Sequence, residues 1–175
     1  MIRIATAECF THGLIGREIH AFSRGYPRQY SWKLDPRRYR LSLVCGLFIP
    51  TLSGVRSILR ISPVPPFEIL DGIKVYDQES DDVMALRMAE AVREITRAHI
   101  GIGTTAGIGR GSIAVAGKEL KLLTRSDVYA DLRSSDPSVI LARQESGIRK
   151  CLHLLEDLIG NDLQPSKDGN VIRFP

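Results

Sequence analysis

The sequence predicts an α/β protein, a three-layer α/β/α sandwich on a mixed, mainly parallel sheet that includes one hairpin. Three observations predict it. An alternating opening strand runs directly into an amphipathic helix; a second helix lies between two strand-like segments; and two short alternating runs then meet at Gly117-Lys118. With 175 residues, 43% of them hydrophobic, the chain suffices for one ordinary core and falls short of two. Residues 1–160 are therefore expected to form a single domain, followed by a polar tail over 161–175 that is partly loose.

Ile2-Arg3-Ile4-Ala5-Thr6-Ala7 alternates without breakers and reads as the first strand, stopping at Glu8-Cys9. Gly13–Arg24 follows as a surface helix with Ile15, Ile19 and Phe22 on one stripe and Arg17, Glu18 and Arg24 largely opposite, ended by Gly25-Tyr26-Pro27. Leu41–Ile49 is a continuous apolar run closed by Pro50, as expected of a strand buried on both faces, which makes Cys45 inert core. Thr51–Leu59 reads as a short helix, and Pro63, Pro65 and Pro66 impose a loop. Ile73–Tyr76 is a strand. Ser80-Asp81-Asp82 supplies a cap and first-turn acids for a helix to Arg97, with Met84, Met88, Ala91, Val92 and Ile95 inward. His99–Gly103 returns as a strand, so strand, helix and strand make a right-handed βαβ unit. Ser112–Ala116 and Glu119–Thr124 form a hairpin through the two residues Gly117-Lys118. A last helix, Ser138–Leu158, turns Ile148, Leu152, Leu155 and Ile159 inward, with Cys151 beside that stripe.

Composition excludes several classes of function. The longest apolar stretch, Leu41–Pro50, is far below the roughly 20 residues a spanning helix needs, and no charged apolar leader opens the sequence, so a cytoplasmic protein without a membrane partner is expected. Cys9, Cys45 and Cys151 are odd in number and lack metal-ligand spacing, which predicts neither a disulfide framework nor a metal site. The net charge is only +4, but Arg24, Arg28, Lys33, Arg37, Arg38 and Arg40 crowd one segment, interleaved with Tyr26, Tyr30, Trp32 and Tyr39 and opposed only by Asp35. That segment admits three readings: a nucleic-acid surface, a solvated excursion whose aromatics pack back on the domain, or a basic rim that attracts an anionic metabolite. Nucleic acid is the disfavoured partner.

Two places carry chemistry. The first is Glu8-Cys9-Phe10-Thr11-His12-Gly13, at the carboxyl end of the first strand, the edge where open α/β sheets bind ligands. A cysteine there is expected to feel unpaired helix N–H groups, which favour the thiolate; His12 offers a proton acceptor and Thr11 a hydroxyl. Such a thiolate attacks an activated carboxyl or phosphoryl group. The second is the loop Gly101–Gly111, whose five glycines permit positive φ and an anion-binding concavity of N–H groups, with Thr104 and Thr105 adding hydroxyls and Arg110 a guanidinium clamp. A strand rather than a helix follows, and no Gly-Lys-Ser/Thr is present, so dinucleotide and nucleoside-triphosphate fingerprints are set aside. The candidate site is therefore Cys9 and His12 for chemistry, with Thr6, Glu8, Thr11, Gly13, Thr104, Thr105, Gly107, Gly109, Arg110 and Gly111 for binding.

These residues carry a resemblance. Ala7-Glu8-Cys9-Phe10-Thr11-His12-Gly13 resembles the Ala-Glu-Ser-Cys-Thr-Gly-Gly opening of the CinA carboxyl-terminal domain, the nicotinamide-nucleotide amidase, and Gly101–Val115 resembles its nucleotide-binding loop. That likeness implies a CinA-like fold, a homodimer, and Cys9 in the place of the nucleophilic serine. The segment Leu47–Pro63, where that family keeps a lysine base, has none, which weighs against amide hydrolysis. A closer resemblance, carried by Ala5–Gly13, Leu47–Thr51 and Gly101–Gly111, is to the HcgF-type family of methanogenic archaea, which serves biosynthesis of the iron-guanylylpyridinol (FeGP) cofactor of Fe-hydrogenase. It implies guanylylpyridinol as ligand with no permanently bound cofactor, capture of its carboxyl group as a Cys9 thioester, and a partner enzyme that activates that carboxyl by adenylation. The other readings are a CinA-like amidohydrolase with a cysteine nucleophile and a nucleic-acid or regulatory module built on Arg24–Arg40.

Overall fold

A computed structural model describes residues 1–31, 33–161 and 171–174. Strand β1 (Ile2–Glu8) leads into α1 (Leu14–Arg24), and β2 (Leu41–Phe48) returns parallel to β1 with a register shift between Ile4 and Ala5. Helix α3 (Gln78–Thr96) then delivers β5 (Ile100–Thr105) parallel to β1 on its other side, while β7 (Ser112–Ala116), β8 (Lys121–Arg125) and β10 (Ile172–Phe174) extend the sheet in antiparallel fashion. The order is β10-β8-β7-β5-β1-β2, a mixed sheet with parallel core strands. Helices α1 and α4 (Pro137–Gly160) cover one face around Ile15, Ile19, Ile148, Leu152 and Leu155. On the other face α3 packs Met84, Met88 and Val92 with the short α2 (Leu52–Gly54) and the π-wound turn Val55–Leu59. This is the expected α/β class.

Several expectations are corrected. β2 is an edge strand, so its apolar run is not buried on both faces: Val44 is 43% and Phe48 53% exposed, and Cys45 is half-buried rather than core. A continuous apolar run does not distinguish an edge from a centre. β4 (Ile73–Val75) pairs with β3 (Glu68–Leu70) in a separate ribbon, as β6 (Ile108–Gly109) does with β9 (Ala130–Asp131), and takes no place in the main sheet; the parallel βαβ unit is β1–α1–β2. Glu18 lies on the buried face of α1, three residues after Ile15, and accepts the N–H groups of Gln29 and Tyr30 at 3.2 Å. Asp77, not Ser80, caps α3, accepting the Ser80 N–H at 2.8 Å, and Ile95 is 52% exposed. The β7–β8 turn is Gly117–Leu120, four residues instead of two, because Ala116 pairs with Lys121. Of the tail, 162–170 lie outside the described residues, whereas Ile172–Phe174 adds β10 to the sheet.

Tyr30 and Leu34 of the basic segment pack back on the domain, whereas Tyr26 and most of its arginines are exposed. Tyr30 is buried and lies under Arg149; burial and the hydrogen bond it donates to the Glu145 carboxylate at 2.9 Å push its phenol up to about 12, against the pull of Arg149. Arg38 covers Tyr39, and Trp32 lies outside the described residues. Among the described residues no helix is long and apolar enough to cross a membrane.

Candidate functional site: the Cys9 cleft

Cys9 is the first residue past β1. Its N–H donates to the Thr104 carbonyl at 3.0 Å and reaches the Thr104 hydroxyl at 3.2 Å, which fixes it against the end of β5. The residue is 7% exposed and lines a cleft of about 120 Å³ at the carboxyl edge of the sheet. Phe10, Phe48, Ile73, Leu132 and Ile140 make its apolar walls; His12, Arg143 and Gln144 supply the polar groups. His12 takes a left-handed φ of 53° and its ring tilts over Phe48 at 5.1 Å. Burial lowers the His12 pKa, which favours the neutral imidazole.

The helix terminus beside Cys9 is not open to a ligand. Glu8, fully buried, fills it: one carboxylate oxygen accepts the Gly16 N–H (2.8 Å) and the Thr6 hydroxyl (2.9 Å), the other the Ile15 N–H (3.1 Å) and the Thr11 hydroxyl (2.7 Å). Burial raises the Glu8 pKa while these four donors oppose it. The expectation that Cys9 feels unpaired helix N–H groups is thereby corrected, since a carboxylate of the chain itself already occupies that position. Thr104 joins the same network through Thr11 at 2.8 Å.

The glycine loop is also corrected. Gly101 and Gly103 stand inside β5, where a Cβ would come within 2.0 Å of the Ala89 carbonyl and 2.1 Å of the Ala85 carbonyl; they let α3 lie against the strand. Positive φ occurs in this loop only at Gly109 and Gly111. Three of its N–H groups have internal acceptors: Gly107 gives to Asp81 (2.8 Å), Ile108 to the Tyr76 carbonyl (2.7 Å) and Arg110 to the Gln78 side chain (2.8 Å). These three N–H groups of the expected phosphate cradle are thus engaged by the protein. The Arg110 side chain lines a different recess, with Arg125 and Lys150.

Of the residues singled out from sequence, the structure brings Cys9 and His12 into the cleft. Thr6, Glu8, Thr11, Thr104 and Thr105 form the buried layer behind it; Gly13, Gly107, Gly109, Arg110 and Gly111 are not in its lining. Two functional candidates come instead from α4. Gln144 donates to the Phe10 carbonyl at 3.0 Å, and Gly147 leaves room for the Phe10 ring, 2.5 Å from where a Cβ would stand. Arg143 is 1% exposed and donates through one nitrogen to the carbonyls of Gly107 (3.0 Å), Gly109 (3.1 Å) and Ala130 (2.8 Å). The one sequence signal for it is periodicity: stepping back from buried Cys151 by four reaches Gly147 and then Arg143, a cation on an apolar stripe. Lys74 is likewise buried, its ammonium donating to the carbonyls of Ile49 and Pro50.

Residues 1–159 match the family described as FeGP cofactor biosynthesis protein HcgF. The chain belongs to the HcgF family. Related to this HcgF-family chain is a UPF0254 protein of Methanothermobacter thermautotrophicus, 58% identical over 159 residues, which are 91% of this chain and 99% of that one. A Methanopyrus kandleri relative is 48% identical over 155 residues (87% and 85%) and one from Methanocorpusculum labreanum 46% over 159 residues (91% and 92%). A solved competence-damaged protein (CinA) superfamily structure from Escherichia coli overlaps the HcgF-family chain with a TM-score of 0.48 at 17% identity, covering 87% of this chain and 81% of that one.

Proposed function

We propose that this protein carries the carboxyl group of guanylylpyridinol as a thioester on Cys9 during FeGP cofactor assembly. The observation that carries the reading is the position of Cys9 in an apolar cleft at the ligand-binding edge of the sheet, beside a buried guanidinium, in a chain of the HcgF family. Cavities of about 150 Å³ lined by apolar side chains hold a single aromatic ring. The cleft, about 120 Å³, suits the pyridinol, and the nucleotide half lies outside, along the exposed rim of Phe48 and Leu141. The carboxyl arrives as an acyl adenylate made by a partner enzyme. The Cys9 sulfur adds to its carbonyl carbon; the C–S bond forms and the C–O bond to phosphate breaks as AMP leaves with the bonding pair. Neutral His12 takes the thiol proton. Such work belongs in the cytoplasm, where thiols stay reduced.

The test is intact mass spectrometry after incubation with guanylylpyridinol, ATP and the adenylating enzyme. The expected increment is guanylylpyridinol less one water, removed by neutral hydroxylamine and absent from Cys9→Ser. An unmodified wild-type mass refutes the proposal, and release of ammonia from a pyridine-nucleotide amide supports an amidohydrolase in its place.

A further inference from the structure

We infer that Arg143 is the catalytic residue that receives the carbonyl oxygen of the acyl group as Cys9 attacks it. The inference deepens the thioester reading and rests on it for the identity of the acyl group.

Arg143 is a buried cation without a carboxylate partner of its own: among the described residues no acidic oxygen lies within ion-pair range of it. The two acids nearest in charge are engaged elsewhere. Asp81 accepts the Gly107 N–H, and Asp131 is held by Arg133 at 2.7 Å. Burial holds the Arg143 guanidinium below its ordinary value, and Asp81, Cys9, Asp131 and Tyr129 only partly oppose that shift. Three carbonyls fix one nitrogen, so the group cannot swing out to water; its Nε is buried with no hydrogen-bond partner among the described residues. A buried, immobilised and unmatched cation is costly unless an anion comes to it. It lines the same cleft as Cys9, whose walls, His12 and Gln144 apart, are apolar and strengthen any charge interaction there. When the Cys9 sulfur adds to an acyl carbon, the C=O π pair moves onto oxygen and creates that anion; it returns to re-form the carbonyl as the leaving group departs. A fixed donor at that oxygen lowers the barrier without reorganisation.

The test replaces the substrate with two small reagents that differ in charge. Iodoacetate and iodoacetamide both alkylate sulfur by forming a C–S bond while iodide leaves with the C–I pair, but only the first brings a carboxylate. Peptide mass mapping follows Cys9 apart from Cys45 and Cys151. The expected result is an iodoacetate-to-iodoacetamide rate ratio at Cys9 at least about tenfold above that of glutathione, lost in Arg143→Met and largely kept in Arg143→Lys. A purely structural arginine changes both rates together and leaves the ratio alone. If Arg143→Met does not fold, the wild type decides by itself, with cationic 2-bromoethylamine as the third reagent, which must be the most disfavoured of the three relative to glutathione. A wild-type ratio equal to that of glutathione, a ratio unchanged in Arg143→Met, or a Cys9 unreactive to every reagent overturns the inference. Since no guanylylpyridinol is present, this result and the thioester experiment fail independently.

Discussion

Asp81 and Arg143 are tied together through the two ends of one residue: the Asp81 carboxylate accepts the Gly107 N–H at 2.8 Å, and Arg143 donates to the Gly107 carbonyl at 3.0 Å. Burial pushes the Asp81 carboxyl up to about 7, against the pull of the Gly107 N–H, the Thr105 hydroxyl, Arg143 and Lys74. A carboxyl raised in the folded state binds a proton the unfolded chain has lost, so its stabilising contribution is complete below pH 4 and disappears as pH climbs to about 7. Relative to Asp81→Asn, the wild type should lose on the order of 2–4 kcal/mol between pH 4.5 and 8. Urea unfolding at both values measures this, and parallel profiles for the two proteins contradict it.

Glu8 is expected to be a structural acid. Glu8→Ala removes the acceptor shared by the Ile15 and Gly16 N–H groups and the Thr6 and Thr11 hydroxyls, at a cost on the order of 3–5 kcal/mol. Glu8→Gln should cost less, because its amide oxygen still serves one pair of donors. Denaturant midpoints rank the variants, and an alanine variant within 1 kcal/mol of wild type removes the capping role.

The glycines separate two kinds of constraint. Gly103→Ala places a Cβ 2.1 Å from the Ala85 carbonyl, backbone against backbone, and should cost about 3 kcal/mol or more. At Gly13 nothing lies within 4 Å, and only the φ of 80° is at stake, so Gly13→Ala should cost about 1 kcal/mol. Thermal melts of the pair test the order.

The cysteines should label in a definite sequence. Cys151 is fully buried, and burial together with the nearby Glu8 carboxylate pushes its thiol well up. Burial raises the half-buried Cys45 thiol too. With a disulfide reagent at pH 8, Cys9 and Cys45 should react in the folded protein and Cys151 only at the rate of global unfolding. Rapid native labelling of Cys151 would show that the α4 packing is misassigned.

Where local pattern governs, the sequence was readable: the β1 alternation, the inward positions of α1 and α4 and the β7–β8 hairpin all follow from period alone. Cys9 and its edge position were legible for the same reason. Glu8 was not, because a carboxylate before a helix reads as a site residue until its four donors are seen folded around it. The glycine loop misled in a similar way; the need for Gly101 and Gly103 comes from α3 backbone lying against β5, a tertiary contact with no local signature. Arg143 is the clearest case, since its meaning depends on loops far from it along the chain.

That separation has a consequence for how the protein is made. Cys9 leaves the ribosome well before Arg143, Gln144 and Gly147, which arrive with α4. A nascent chain therefore displays its thiol before any pocket surrounds it, and the Cys9 sulfur and the Arg143 guanidinium meet only when α4 docks on the sheet. The Cys9 cleft is in this sense a product of late folding: its thiol is made long before the helix that walls it in.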